Sequence, residues 1–241
     1  VPEHLSRKEL KQDKFRESIE HGAEAVYSHG QVAAAAVGAV LLVVLVYGGW
    51  KFYNDRRTLQ ASAGLDEAMK IYNAPLRTGN QPVEAGEITY PDIQKRSQDA
   101  SQKFAAVADR YPSTNPGRLA RYYLALTLLD LEKQNQSIEE LKKLVGGSDK
   151  ELSAMAQYQL ATVYARTGKT DDAAKAYRAV ADSKSALVPR PLVLLELADL
   201  LRTSNPGEAA ALYQQVKKDY PTNSAVSERA DRGLDLLAPK S

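Results

Sequence analysis

Two marks recur along this chain at one interval. Pairs of apolar side chains three positions apart, Phe104/Val107, Leu141/Leu144, Tyr177/Val180 and Tyr213/Val216, follow one another at spacings of 37, 36 and 36 residues. Interleaved with them, the dipeptides Leu124-Ala125, Leu160-Ala161 and Leu197-Ala198 stand 36 and 37 residues apart. A fixed period of this size marks a repeat architecture, in which no unit buries its apolar face alone and each must stack on a neighbour. Every period carries two segments that are apolar at i, i+3, i+4 and i+7, with no β-type alternation. Helix starts and stops separate them at Pro-Ser-Thr-Asn-Pro-Gly (112–117), Gly-Gly-Ser-Asp (146–149), Thr-Gly-Lys-Thr-Asp (167–171) and Ser-Asn-Pro-Gly (204–207). The spacing predicts antiparallel helix pairs with helices of about 12–18 residues.

The pattern extends both ways from the central units. A first helix is predicted over Leu59–Tyr72, with Ala61, Leu65, Ala68, Met69 and Tyr72 as its buried stripe. Its partner ends in Phe104–Pro112, and between the two lies an insertion over 74–92, rich in Gly and Pro. A loop of that length is either a binding loop or a spacer. Ala225–Leu237 is predicted to close the array as a capping helix, with Asp231, Arg232 and Asp235 on its exposed face.

Before the repeats comes an apolar run, Val32 to Tyr47, without a charged residue. With Gly48, Gly49 and Trp50 it reaches about nineteen residues, or roughly 28 Å as a helix, which matches the hydrocarbon core of a bilayer. Trp50, Phe52 and Tyr53 follow beside Lys51, Arg56 and Arg57, the mixture favoured at a membrane interface. The exit lacks a small-x-small cleavage site, so the segment reads as an uncleaved single transmembrane helix. The organisation is therefore a charged tail over 1–30, a transmembrane helix over 31–53 and a repeat domain over 54–241. In the tail, Leu5, Phe15, Ile19, Ala23 and Val26 share one helical sector, fit for docking on a partner or a membrane surface, although Leu10 interrupts the stripe. Charge counting leaves both orientations open. Lys51, Arg56, Arg57 and Lys70 outweigh Lys14 and Arg16 close to the span, while Arg7, Lys8 and Lys11 even the score over the whole tail.

Composition removes several classes of chemistry. The chain has no cysteine, and its three histidines, His4, His21 and His29, all precede the apolar run. The repeat domain therefore has no material for a Ser-His-Asp or Cys-His centre or for the usual zinc sites, and no metal or cofactor site is expected. Thr167-Gly168-Lys169-Thr170 superficially matches the end of a phosphate-binding loop, but the upstream glycine is missing and the segment is a turn between helices. Asp171 and Asp172 sit where a helix N-terminus favours acids. A net charge of +2 sets up no field for nucleic acid. Neither an enzyme nor a small-molecule binder is expected.

The central unit, QYQLATVYARTGKTDDAAKAYRAV over 157–180, resembles a tetratricopeptide repeat. Leu160, Ala161 and Tyr164 stand on its first helix, Gly168 at its turn, and Ala173 and Tyr177 on its second. The next unit keeps Leu197, Ala198, Leu201, Ala209, Tyr213 and Pro221; the preceding one keeps Leu124, Ala125, Leu128 and Leu141 but lacks the turn glycine and the second-helix alanine. The resemblance implies an all-α, right-handed, tetratricopeptide-like array behind the transmembrane helix. In order of parts, including the exit Trp50-Lys51-Phe52-Tyr53-Asn54, the chain is similar to the YfgM-like tetratricopeptide proteins, ancillary to the Sec translocon of bacteria. That likeness implies a single-pass protein of the bacterial cytoplasmic membrane, with a cytoplasmic N-terminus and a periplasmic repeat domain. Its partners would be proteins: translocon subunits, chaperones or exported chains. Tyr111-Pro112 and Tyr220-Pro221 also resemble repeat units of outer-membrane assembly and Tol-Pal-associated proteins, although no lipidation cysteine is present. A cytoplasm-facing adaptor is the other alternative.

In tetratricopeptide arrays the first helices line a concave surface that holds a peptide. The family's groove positions fall here on Tyr122, Leu126 and Asp130, on Met155, Tyr158, Thr162 and Arg166, and on Leu195, Asp199 and Arg202. Of these, Tyr122, Leu126, Met155, Tyr158, Arg166, Leu195 and Arg202 are the candidate protein-binding residues, the tyrosines as apolar anchors and the arginines as partners for carboxylates.

Overall fold

The computed structural model describes residues 30–77 and 88–238. They form nine helices: α1 (Gly30–Tyr72), α2 (Ile93–Arg110), α3 (Asn115–Asp130), α4 (Gln134–Lys142), α5 (Lys150–Arg166), α6 (Thr170–Asp182), α7 (Arg190–Leu201), α8 (Pro206–Asp219) and α9 (Ser224–Leu237). The chain divides into two compact units, 1–56 and 57–241. The charged-tail reading of 1–30 falls almost wholly outside the described residues.

In the first unit, the apolar part of α1 has mean hydropathy 1.8 and is long and apolar enough to cross a membrane. None of that stretch is buried in the structure; Leu45, for example, is 74% exposed. A core helix of this composition would hide these side chains, and this one hides none. The Tyr47 and Trp50 rings lie 6.2 Å apart, and the Arg56 guanidinium sits 4.8 Å over the Phe52 ring.

The second unit is the repeat array. The last turns of α1 pair with α2, and the pairs α3/α4, α5/α6 and α7/α8 follow, with α9 closing the stack. Its core falls into three clusters: the first two each join one pair to the first helix of the next, and the third runs through the last two pairs to α9. Ala61, Leu65 and Ala68 of α1 meet Phe104 and Val107 of α2 and Leu124 and Leu128 of α3. Ala125 on another face of α3 packs with Ile138 and Leu141 of α4 and with Leu160 and Val163 of α5. Ala161 of α5 then belongs to the last cluster, with Tyr177, Val193, Leu197, Tyr213 and Ala230. The Leu-Ala dipeptides thus face two ways: leucine toward one interface and alanine toward the other for α3 and α5. The periodic residues of the sequence are the buried ones.

Helix starts are held by the side chains the sequence supplies for them. Thr114, Asp149, Asn205 and Asn223 each accept a bond from a backbone N–H in the first turn of α3, α5, α8 and α9. Asp92 does the same for α2 through Lys95, so the insertion ends at that cap. The described flanks of the insertion, 74–77 and 88–92, are closed by a parallel bridge, in which Arg77 N–H donates to Tyr90 O at 2.7 Å and Tyr90 N–H to Pro75 O at 3.0 Å. The middle of the predicted loop lies outside the described residues.

The second pair departs from expectation. Helix α4 has nine residues, shorter than the periodicity implies. At its entry stands Glu132, with φ +58°, where the third pair has Gly168 with φ +75°. The two turns share their hydrogen bonds. Lys133 N–H reaches Leu128 O and Lys169 N–H reaches Tyr164 O, at 2.8 and 2.9 Å. One turn geometry is therefore imposed by the repeat, with glycine in one copy and a strained glutamate in the other. The missing second-helix alanine is Ser137, fully buried, whose hydroxyl donates to Ala125 O at 2.8 Å. Relieving the left-handed strain with Glu132→Gly is expected to stabilise the domain by about 1 kcal/mol and raise Tm by roughly 2–4 °C, measured by thermal circular dichroism. Gly168→Ala is expected to act in the opposite direction by a similar amount.

Candidate protein-binding groove

The first helices α3, α5 and α7 carry the residues assigned to the groove by repeat register, and the structure separates these into three groups. Tyr122 and Tyr158 hold equivalent places on α3 and α5. Both are partly buried. The Tyr122 ring meets Tyr123 edge-on at 5.7 Å. Its hydroxyl is pushed up to about 12, first by burial and then by the neighbouring Tyr123, Tyr72 and Tyr158. Tyr158 lies edge-on to Tyr177 at 6.0 Å, and burial followed by the charge of Glu196 raises its hydroxyl above the usual tyrosine value. Leu126 and Met155 are also partly buried, and Met155 packs against the last core cluster.

The second group is polar and already engaged within the array. Asp130 accepts from the fully buried Ser97 hydroxyl at 2.9 Å. Thr162 donates to Tyr158 O at 3.1 Å. Asp199 receives the Tyr213 hydroxyl and, at 2.6 Å, the Arg229 guanidinium, which also reaches Glu196 at 2.8 Å. Burial and the bond to Asp199 push the Tyr213 hydroxyl far above its ordinary value. Arg166 is exposed and Arg202 half-buried.

Leu195 corrects the register argument. It aligns with Tyr122 and Tyr158, yet it is 2% exposed and belongs to the last core cluster together with Ala230 of α9. A tyrosine that sinks inward must find its hydroxyl a hydrogen-bond partner, whereas leucine loses nothing by doing so. Leu195 therefore offers no surface to a partner. In its place α7 presents Glu196 and Asp199, tied to α9 by Arg229. No periodic mark in the sequence distinguishes Arg229 or Glu196 from other exposed charges, so register alone does not find them.

On α1–α3, Tyr72, Phe104 and Tyr123 form a continuous ring cluster. Phe104 stacks on Tyr123 at 5.5 Å, and Tyr72 meets both rings edge-on at 5.9 and 5.4 Å. Elsewhere a recess of about 550 Å³ runs between α2 and α4 over Leu124 and Leu128. Its acidic walls are engaged internally: Asp109 and Glu140 pair with Arg121, and Glu139 with Lys142. Among the described residues no group of three or more His, Cys, Asp or Glu is placed to hold a metal ion.

A family model described as a tetratricopeptide repeat-like domain matches residues 28–188, two thirds of the chain, and a tetratricopeptide repeat model matches 158–224. The chain belongs to the tetratricopeptide repeat-like family. The first match begins ahead of the apolar stretch of α1 and runs on through the third helix pair. Solved structures agree on the fold. The nearly identical TPR-like repeats of a candidate kinesin light chain from Podosopora anserina superpose with a TM-score of 0.54 at 14% identity, over 73% of this chain and 86% of that one. A point-substituted form of the same repeats gives the same values. No curated protein matches the sequence.

The raised Tyr122 hydroxyl has a consequence for stability. Its folded pKa lies above the unfolded value of about 10, so its contribution is complete below that pH and is lost as pH rises from about 10 through 12. The urea midpoint is expected to fall across that window, and Tyr122→Phe is expected to make the fall shallower. An unchanged pH slope in the variant would show that the ring is not held as described.

Proposed function

We propose that this protein is a membrane-anchored scaffold for protein–protein interaction, with the apolar stretch of α1 as its anchor and the Tyr122–Tyr158 face of the array as its docking surface. The observation that carries this reading is the pairing of two features. A fully exposed, charge-free apolar helix of bilayer length has no use in water, and it precedes a repeat array of a family whose business is binding proteins. The tyrosines supply rigid anchors at low entropic cost, and Arg166 is a cation left for a partner's carboxylate. The YfgM-like order of parts supports a place at the bacterial cytoplasmic membrane beside the Sec translocon, assisting exported chains or the chaperones that receive them. Lys51, Arg56, Arg57 and Lys70 favour the second reading, an adaptor facing the cytoplasm.

Protease added to intact spheroplasts separates the two orientations, because only an outward-facing domain is digested. Pull-down of the full chain in mild detergent is expected to recover translocon or chaperone components, and an eluate without either counts against the export role. Tyr158→Ala combined with Arg166→Glu is expected to cut partner crosslinking about tenfold or more, with helical content unchanged by circular dichroism. Undiminished crosslinking in that variant places the docking surface elsewhere.

A further inference from the structure

The antiparallel pairs bring four connections to one end of the array: 111–114, 143–149, 183–189 and 220–223. Residue 57 stands at the same end, since the Arg57 guanidinium donates to Arg110 O at 3.0 Å and the Tyr111 hydroxyl to Gln60 at 3.2 Å. The apolar run ends at Trp50, only seven residues earlier. Seven residues span at most about 25 Å even when fully extended. If the run is embedded in a bilayer, as proposed above, this is the end of the array at which the chain arrives from the membrane.

Its surface is unusual in two respects. First, it exposes apolar side chains on turns: Leu187 is 62% exposed and Val145 38%. The Leu187 turn is pinned. The Glu151 carboxylate accepts from the Ser185 hydroxyl, from Ala186 N–H and, at 3.1 Å, from Leu187 N–H, and Ser185 Oγ accepts from Val188 N–H at 3.1 Å. These bonds hold the Glu151 carboxyl below its usual range. A leucine is thus held outward by the five hydrogen bonds around its turn, where a flexible turn would let it fold back.

Second, the charges are unevenly engaged. Arg110, Lys150 and Lys184 are exposed and make no ion pair or side-chain hydrogen bond among the described residues. Lys143 shares Glu140 with Arg121 and is also exposed. Most acids of this end are engaged within the array: Asp109, itself exposed, with Arg121, Asp149 with Leu152 N–H, Glu151 with its turn and Asp219, also exposed, with Arg190. Asp182 is the exception. Protruding apolar tips among weakly engaged cations are what an anionic interface takes up.

We propose that this end of the array is a lipid-contacting face, on which Leu187 and Val145 enter the interface of an anionic phospholipid bilayer while Arg110, Lys143, Lys150 and Lys184 meet its phosphates. The inference rests on the membrane-anchor reading, and the experiment tells the two apart.

The chain has no cysteine, so Leu187→Cys carries a unique environment-sensitive dye, and Thr203→Cys marks the opposite end. The full chain is reconstituted into nanodiscs of phosphatidylcholine alone or of phosphatidylcholine with phosphatidylglycerol, each with a lipid-borne quencher. The dye at position 187 is expected to shift to the blue and be quenched only in the phosphatidylglycerol discs, with no change at position 203. High salt should abolish the effect, and Lys143→Glu with Lys184→Glu should lower the quenched fraction roughly fivefold per charge. Chain held in discs with a water-like signal at 187, or equal quenching in both lipids, overturns the lipid-contacting face and leaves the anchor standing. Shielding of position 187 only after soluble protein extract is added overturns it too, and identifies a protein-docking surface instead. Chain that never enters discs defeats the anchor, and the inference with it.

Discussion

Every first helix after α1 in this array has to bury two faces at once, one against its own partner and one against the pair before it. That demand explains the residues that recur. On α3, Leu124 and Leu128 fill the first cluster while Ala125, one position on from Leu124, faces the second. On α5, Leu160 and Val163 complete the second cluster and Ala161 opens the third. Alanine is needed where a bulky side chain arrives from a neighbouring second helix, because close packing leaves no room for both. The same rule reaches α9. A Cβ on Gly233 would lie 2.3 Å from the ring of Tyr213, which is itself fully buried, so only glycine seats that helix. Helix α9 therefore packs as a further first helix would, while its other side, with Asp231, Arg232 and Asp235 outside the core, ends the stack.

The dependence is local, pair on pair, and so the sequence announces it. Hydrophobic period, cap residues and turn residues all repeat, because each copy solves one packing problem with one backbone geometry. The features that were not legible are those where a copy solves it differently. Glu132 takes a left-handed turn that the period assigns to glycine, and nothing in its own chemistry signals this. Ser137 replaces an alanine and satisfies its hydroxyl with a bond to the backbone carbonyl of Ala125 on the preceding helix. Both substitutions preserve the backbone at some local cost, so the architecture survives while the residue pattern blurs.

The register of the first helices was legible, and the surface it gives was less so. Register places Tyr122, Tyr158 and Leu195 on one line, and the first two are partly buried where the third is in the core. Exposure along that line depends on what the following helices do. Behind α7 comes α9, whose Arg229 reaches across to Glu196 and Asp199. Ion pairs between half-exposed groups such as these contribute little to stability. Their effect is positional: they fix which charges α7 can show, leaving an acidic pair already answered by a cation at one end of the line and, at its middle, tyrosines with Arg166, which has no ion pair among the described residues.

This asymmetry bears on how such a scaffold would discriminate. With Leu195 in the core and Asp199 engaged, α7 offers a partner little that is not already satisfied. The tyrosine pair, and Tyr72 and Tyr123 packed on the buried Phe104, are confined to α1, α3 and α5. A short array has few surfaces to divide among partners, and burying aromatic side chains yields more per contact than meeting charges that are already paired. On the proposed docking surface, selectivity would depend on the shape of a tyrosine-lined stretch about two repeats long, with the cation at Arg166 setting the direction of the bound chain.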